Sequence, residues 1–403
     1  MNKKIYLHVL IAFLLVVVGF GSLYYITLRD SKARLLDELS NISNNLDENE
    51  KILDFFVQPT GMAVDENDGL LYVSDTTNNR ILVFELGEDG LPADNHSDYV
   101  IGQKSFTGTS GDVGSKKTNY PYNLLLDGES NYLYVADFHN NRVLVFNTTN
   151  LENGLEASFV LGQLDFLSRF PTSGVDGLNN PFDLSFDANR NYLFVADNGN
   201  NRVLVYDTAN LQNGQEASFV LGQDNFLETA TGTSKYNFSD PSALSFDEKN
   251  NYLYVGDFDN NRVLVYDTTN IENDLESSFV LGQDNFAGFT SGLSRDTFDK
   301  PYDLDIFSNN LFLVDKNNNR VLVFNTTNLE NGLEASYVLG QGAFIDNFSG
   351  SSVSRFEGPF ALEIDKKNQR LLVSDVGNNR ILFFNIDKLE SGQKSVYSLE
   401  FNK

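Results

Sequence analysis

The chain of 403 residues contains no cysteine, no tryptophan and only three histidines. The absence of cysteine excludes a disulfide framework, a thiol nucleophile and any metal held by thiolates. Beyond residue 28 the only histidines are His96 and His139, which excludes a zinc site built from several imidazoles. The sequence also lacks a serine nucleophile elbow, a phosphate-binding loop and a dinucleotide fingerprint. These absences argue against the common enzyme classes, and we expect no catalytic residues.

Positive charge is scarce, with 29 Lys and Arg against 56 Asp and Glu and a net charge of −27. The first 34 residues carry five basic side chains and one acidic one, about +4, so the remainder is near −27 − 4 = −31. A domain that acidic repels phosphate backbones. We therefore expect no nucleic-acid partner.

One long apolar run, Ile5–Leu28, stands near the N-terminus. At ~1.5 Å per residue a helix of this length crosses the ~30 Å hydrocarbon core of a bilayer. Lys3 and Lys4 predict a short cytoplasmic tail, residues 1–4, and an extracytoplasmic location for the rest, at the cell surface or in the periplasm. The basic residues after the run favour the opposite orientation. The sequence thus predicts a single-pass membrane protein with a signal-anchor helix at residues 5–28.

A cleaved signal peptide is the alternative for this segment. Gly19-Phe20-Gly21 places small residues where a signal peptidase cuts. Because the apolar run continues well beyond that point, we favour an uncleaved anchor. Residues 29–53, which are charged and rich in asparagine, are interpreted as a stalk.

One motif of about 60 residues is written six times after the stalk. In a middle copy it begins at Pro181, passes Asp197, Asn200-Asn201-Arg202 and Asp207, and ends with Leu221-Gly222-Gln223. Each copy has four short segments rich in Val, Leu, Tyr and Phe, separated by Asp, Asn and Gly, which is typical of four strands joined by turns. The second and third segments are apolar at consecutive positions and predict strands buried on both faces. In the fifth copy, Leu313-Val314-Asp315 reads as a strand that is one residue short.

The ends of the repeat array predict whether it closes. An open array needs terminal copies with a polar outer face, whereas here the first and last copies resemble the middle ones. The last copy has its own candidate fourth strand, Val396–Phe401. We expect an all-β, six-bladed β-propeller of four-stranded blades over residues 54–403, and pairing of residues 52–57 across the seam is left open.

The motifs resemble those of a known family. Pro-x-x-Leu-x-x-Asp, Leu-Tyr-Val-x-Asp and Asn-Asn-Arg-Val-x-Val-Phe/Tyr are similar to the NHL repeat, and the similarity spans Pro59 to Phe401. The resemblance implies a propeller. Its functional implication is broad, because the family's propellers include interaction modules, sensor domains of membrane proteins and a few lyases.

Repetition separates scaffold from candidate site residues. A residue needed in every copy serves the blade, so we assign structural roles to an Asp and an Arg at the hairpin between the second and third strands. These are Asp75, Arg80, Asp137, Arg142, Asp197, Arg202, Asp257, Arg262, Asp315, Arg320, Asp375 and Arg380. Asn tolerates a positive φ in such a turn, and Asp can accept hydrogen bonds from its backbone.

Positions that differ between copies are the binding candidates. If the first strand lies at the axis, the linkers into it share one face with the hairpins between strands two and three. We call this the linker-and-hairpin face. The variable hairpin residues and the second residue after each repeat proline provide the candidates, which are Phe138, His139, Phe258, Asp259, Lys316, Asn123, Asp183 and Asp303.

Two functions remain open at this point. The first is a non-catalytic binding or scaffold propeller that recognises a protein, peptide or glycan and uses no cofactor. The alternative is a calcium-dependent hydrolase or lyase at the mouth of the axial channel, with oxygen ligands from Asp183, Asp303 and Asn123.

Overall fold

The computed structural model describes residues 58–400. The predicted tail, anchor and stalk, residues 52–57 and the last three residues of the chain lie outside this range. Within it, the chain forms six antiparallel sheets of four strands each, which confirms the predicted six-bladed propeller.

Each blade is built from one continuous stretch of chain in the order of its strands. Blades 1 to 3 comprise β1 Pro59–Asp65, β2 Leu70–Asp75, β3 Arg80–Glu85, β4 Tyr99–Ile101; β5 Pro121–Asp127, β6 Tyr132–Asp137, β7 Arg142–Asn147, β8 Phe159–Leu161; β9 Pro181–Asp187, β10 Tyr192–Asp197, β11 Arg202–Asp207, β12 Phe219–Leu221. Blades 4 to 6 comprise β13 Pro241–Asp247, β14 Tyr252–Asp257, β15 Arg262–Asp267, β16 Phe279–Leu281; β17 Pro301–Phe307, β18 Asn310–Asp315, β19 Arg320–Asn325, β20 Tyr337–Leu339; β21 Pro359–Asp365, β22 Arg370–Asp375, β23 Arg380–Asn385, β24 Tyr397–Glu400.

One-turn 3₁₀ helices interrupt the connections between strands. Those in the hairpins between second and third strands span Thr76–Asn78, Phe138–Asn140, Asn198–Asn200, Phe258–Asn260, Lys316–Asn318 and Val376–Asn378. Three more follow third strands, at Thr148–Asn150, Thr208–Asn210 and Thr326–Asn328. The Asn after each hairpin turn has a positive φ, for example 54° at Asn201, as predicted.

The strand predicted to be short in the fifth copy has full length. β18 is six residues long, as are its counterparts. The copy is shortened instead in the turn between β17 and β18, where Phe307 pairs with Asn310. The prediction was wrong because Leu313 and Val314 occupy the positions that valine and alanine hold in other copies. Counting back from the arginine that begins the third strand, Arg320, gives the correct alignment.

The core lies between blades. Consecutive residues of the second and third strands, such as Leu193-Phe194-Val195 in β10, are fully buried because alternate side chains enter the interfaces with the two neighbouring blades. Six apolar clusters fill six blade–blade interfaces. Because these strands are buried on both faces, they lack the alternation of apolar and polar residues that is expected of a sheet with one exposed face.

The ring closes between blade 6 and blade 1. Met62 and Leu71 of blade 1 share a cluster with Leu372 and Phe383 of blade 6. The Glu363 carboxylate accepts a hydrogen bond from the backbone N–H of Val64 at 2.8 Å. The fourth strand of blade 6 is β24, paired with β23 and supplied by the last copy itself, so the predicted closure is confirmed.

A buried ion pair recurs in every blade. Arg202 Nε lies 2.7 Å from Asp197 Oδ2, and both side chains have no solvent exposure. The same guanidinium donates through Nη2 to the carbonyls of Gly174 and Gly177 in the incoming linker, and through Nη1 to the carbonyl of Phe226 in the outgoing one. The second Asp197 oxygen accepts the backbone N–H of Asn179 at 2.7 Å. This aspartate therefore binds linker backbone, whereas the sequence suggested turn backbone.

Loss of the guanidinium should be costly. In Arg202→Met, Asp197 keeps its burial but loses its cation, and three linker carbonyls lose a donor, so we expect a loss of about 3–5 kcal/mol in the free energy of unfolding. Urea unfolding measures this loss. The matched control is Lys116→Met, which removes an exposed pair with Glu156 at 3.8 Å and should cost at most about 1 kcal/mol. Equal losses would contradict a buried, structural role for the arginine.

Candidate functional site: the axial aromatic floor

The first strands surround the axis, where each contacts the first strand of the blades on either side. Each begins at the linker-and-hairpin face with the repeat proline, so the next residue points to the centre of that face. In four blades this residue is aromatic. We call Tyr122, Phe182, Tyr302 and Phe360 the axial floor.

The four rings of the axial floor are in mutual contact. Ring centroids are 4.4 Å apart for Tyr302 and Phe360, 4.7 Å for Tyr122 and Phe182, and 5.3 Å for Phe182 and Tyr302. Phe182 and Phe360 are buried, while the two tyrosines are half-buried. Burial raises the pKa of Tyr122 to about 12, so both phenols are neutral donors at physiological pH. Phe182, Tyr302 and Phe360 line a cavity of about 10 Å³ that also borders Asn123 and Asp303, roughly the space of one water.

Three predicted hairpin residues extend this aromatic surface. Phe138 packs against Tyr122 with centroids 4.5 Å apart, and Phe258 against Tyr302 at 5.5 Å. Lys316 Nζ stands 3.5 Å from the centre of the Tyr302 ring and 4.8 Å from that of Phe360. Burial lowers the pKa of Lys316 to about 8. The structure thus brings these three candidates together around the floor.

Two further predicted residues lie at the outer edge of the hairpins. His139 is exposed and stacks on Tyr120 at 4.5 Å, and partial burial lowers the pKa of its imidazole. Asp259 is exposed and pairs with Lys300 Nζ at 2.5 Å, while that ammonium lies 4.3 Å from the Phe258 ring centre. Both residues can contact a ligand that covers the floor.

The polar residues of the floor and of its hairpins lie in blades 1, 3 and 4, and their polar groups are already bonded. Thr76 Oγ1 donates to the carbonyl of Pro121 at 2.6 Å, and Ser242 Oγ to that of Pro301 at 2.8 Å. Asn198 Nδ2 donates to the carbonyl of Pro241 at 3.2 Å. These residues connect neighbouring blades, so the aromatic residues and Lys316 are the part of the rim available to a ligand.

Asn123, Asp183 and Asp303 lie lower, with both aspartates buried. Asp183 accepts the backbone N–H of Leu184 at 2.7 Å and that of Leu244 in the next blade at 2.5 Å, and Asn123 Nδ2 donates to it. The sequence prediction placed all three at an open channel rim. Instead, the two aspartates are buried and Asn123 is half-buried, because the residue after the proline is larger and closer to the face.

The second buried aspartate repeats this arrangement. Asp303 accepts the N–H groups of Leu304 at 2.8 Å and of Leu362, again in the next blade, at 2.7 Å. Each aspartate therefore accepts N–H groups from the inner edges of two neighbouring first strands. The second of these strands, in blade 4 or blade 6, needs no acceptor of its own and has alanine at the equivalent position, Ala243 or Ala361. Whether these three residues also contact a ligand stays a prediction.

The structure offers the calcium alternative no ligand set. Within residues 58–400, no group of three or more His, Asp and Glu side chains is arranged to hold a metal ion. Both oxygens of Asp183 and of Asp303 already accept backbone N–H groups. Burial, together with repulsion between the two carboxylates, raises the pKa of Asp303 and makes the pair a poor source of negative charge.

Sequence reasoning missed the axial floor itself. The residue after each repeat proline varies between copies as Thr60, Tyr122, Phe182, Ser242, Tyr302 and Phe360. Variation between copies therefore marks the first residue after the proline as well as the second. Variation alone does not show which of the two side chains points toward the face, because that direction depends on the twist of the first strand at the axis.

Comparisons with known proteins agree with this architecture. A family model described as NHL repeat matches residues 56–84. NHL repeat-containing protein 2 of Gallus gallus is 30% identical over 148 residues, and that of Homo sapiens is 29% identical over 142 residues. Each alignment covers 34% of this chain and 19% of the relative. These matches support an NHL-repeat β-propeller.

The NHL repeat-containing relatives are longer proteins, since the chain spans about a fifth of their length. Among solved structures, a streptogramin B lyase aligns with a TM-score of 0.49 and 13% identity, over 88% of this chain and 86% of that one. A nidogen/laminin complex aligns with a TM-score of 0.41 and 16% identity, over 70% of this chain and 83% of that one. At such identities a likeness concerns the fold alone.

Membrane attachment is a separate question. In the part of the chain that the structure describes, no helix is long and apolar enough to cross a membrane. The predicted spanning segment, residues 5–28, lies outside that part.

The buried carboxyl under the floor predicts a pH dependence. Burial raises the pKa of Asp183 to about 7, above the ~3.9 of an unfolded chain, so the folded state holds the extra proton between these values. This contribution to stability is present at low pH and is lost as the pH rises toward 7. The free energy of unfolding of Asp183→Asn, relative to the native protein, should improve by about 2.7 kcal/mol from pH 5 to pH 8, because the native protein loses ~1.36 kcal/mol per pH unit up to pH 7.

The matched control for this pH dependence is Asp165→Asn, which changes an exposed linker carboxylate. Its free energy of unfolding, relative to the native protein, should not improve over the same range. Urea titrations at the two pH values measure both differences, and a flat difference for Asp183→Asn would show that the buried carboxyl stays ionised.

Proposed function

We propose that the protein is a non-catalytic binding or scaffold propeller, held at the outer side of a membrane by residues 5–28. It recognises a protein, peptide or glycan through the linker-and-hairpin face. The observation that carries the proposal is the axial floor with its neighbours Phe138, Phe258 and Lys316. In a molecule whose scaffold is repeated in every blade, this aromatic surface is the part that is not repeated.

The chemistry of the floor supports binding over catalysis. Aromatic rings with half-buried faces provide contact area at a low cost in conformational entropy. The tyrosine hydroxyls and the Lys316 ammonium add donors for the polar groups of a peptide or a sugar. His139 and Asp259 lie on different hairpins and make their close contacts with Tyr120 and Lys300, so they do not form an acid–base pair.

Removal of the rim aromatics tests the binding face. In the full chain, Phe138→Ala with Phe258→Ala should weaken partner capture roughly 30-fold, because a central aromatic contact is worth about 2 kcal/mol or more. Quantitative affinity capture of surface proteins, together with a glycan array, measures the change.

The matched control replaces Glu129 and Glu248 with alanine on the opposite face, at the turns after the first strands. This variant should keep full capture. Loss of capture in the control, with capture intact in the rim variant, would place the ligand on the wrong face for the proposal.

The proposed anchor has its own test. The full chain should stay in the membrane fraction during alkaline carbonate extraction, and its intact mass should include residues 1–28. Extraction into the soluble fraction, or a mass that begins after Gly21, would contradict an uncleaved anchor. Neither result would bear on the binding face.

A further inference from the structure

The linkers that leave blades 2 to 5 expose eight large apolar side chains, and six of them stand four to seven residues after the glutamine of Leu-Gly-Gln. We call these six the apolar arc, and they are Leu167, Phe170, Leu227, Phe289, Ile345 and Phe348. Their exposed fractions range from 57% at Phe289 to 78% at Phe170. Single exposed apolar residues are ordinary, whereas a set that recurs in consecutive copies of one loop on one face of a molecule indicates an interaction surface.

The same hydrogen bonds hold the four linkers. The last side chain of Leu-Gly-Gln, at Gln163, donates through Nε2 to the carbonyl of Phe170 at 3.0 Å, and Gln341 donates likewise to Phe348 at 2.8 Å. Asn141 Nδ2 donates to the carbonyl of Arg169 at 2.9 Å, and its counterparts do the same. Leu167, Leu227 and Ile345 each stand four residues after that glutamine. Because the anchoring is equivalent, residues at equivalent positions of these linkers are expected at similar heights along the axis.

Separate apolar side chains at similar heights fit a fluid, flat partner better than a protein, which would need one contiguous patch. Each of the four linkers, 164–180, 224–240, 284–300 and 342–358, has a net negative charge, which disfavours an anionic surface. The chain also enters the ring on this face, because the backbone N–H of Gln58, just before β1, bonds Asn379 Oδ1 of a hairpin at 3.4 Å. Gln58, where the described part of the chain begins, therefore lies on the face that carries the arc.

We propose that the apolar arc docks the propeller on a lipid bilayer with zwitterionic headgroups, with the linker-and-hairpin face toward the membrane. The inference rests on the proposed membrane tether, which keeps the arc close to the bilayer so that shallow insertion of a few side chains suffices. The linker between blades 1 and 2 carries Thr107, Thr109 and Ser110 at the equivalent positions. That polar sector leaves an approach to the axial floor, so the ligand is one presented close to the membrane surface.

The chain has no tryptophan, so a single introduced indole reports its surroundings without background. The full chain would be reconstituted in phosphatidylcholine vesicles with brominated acyl chains, as Leu167→Trp, Ile345→Trp and, on the opposite face, Glu248→Trp. We expect the indoles in the arc to emit at shorter wavelength and to be quenched several-fold more than the indole at position 248. Thermal melting checks that each variant is folded.

The outcomes separate docking from the tether. If all variants float with the vesicles but the arc indoles are quenched no more than position 248, the tether stands and the docking is overturned. If the chain does not float with vesicles and no indole is quenched, both are overturned. A blue shift without lipid that grows with protein concentration would assign the arc to a second copy and would also overturn the proposal.

Discussion

The buried arginine–aspartate pair at the start of each third strand is the interaction on which the rest of the ring depends. Its aspartate fixes the linker that enters its own blade, and its guanidinium fixes carbonyls in the linkers on both sides. An ion pair removed from water is favourable only when its remaining donors and acceptors are also satisfied. Here they are satisfied by linker backbone, which gives about eighteen residues without regular strand structure a defined path between blades.

A second constraint acts at the axis. The inner edge of every first strand presents N–H groups that no strand can pair, and edges of this kind are costly when buried. Asp183 and Asp303 each satisfy one such group in their own blade and one in the next, and Glu363 does so across the seam. The differences between copies at this position therefore reflect shared hydrogen bonding between blades. A residue that varies between copies therefore indicates a ligand site only if hydrogen bonds within the protein do not already explain the variation.

The fold could be predicted from the sequence to a large extent. The arginine register, the turn asparagines and the doubly buried second and third strands are local patterns repeated along the chain, and each has a direct physical reading. The site could be predicted in part. Phe138, Phe258 and Lys316 were found because they sit in hairpins whose position follows from strand order. Tyr122 and Tyr302 were missed because the inward direction of a side chain depends on the twist of the first strand, which no spacing rule specifies.

The linker-and-hairpin face thus combines a repeated scaffold with an axial floor that is not repeated and an apolar arc that recurs in four of the linkers. The central claim is that the ligand is bound on this face. The most direct measurement places a photo-activatable cross-linking residue at position 139, beside the floor, or at position 129, on the opposite face, in the full chain in its native membrane. The account predicts cross-linked partners from position 139 and none from position 129. Cross-links from position 129 alone would contradict it.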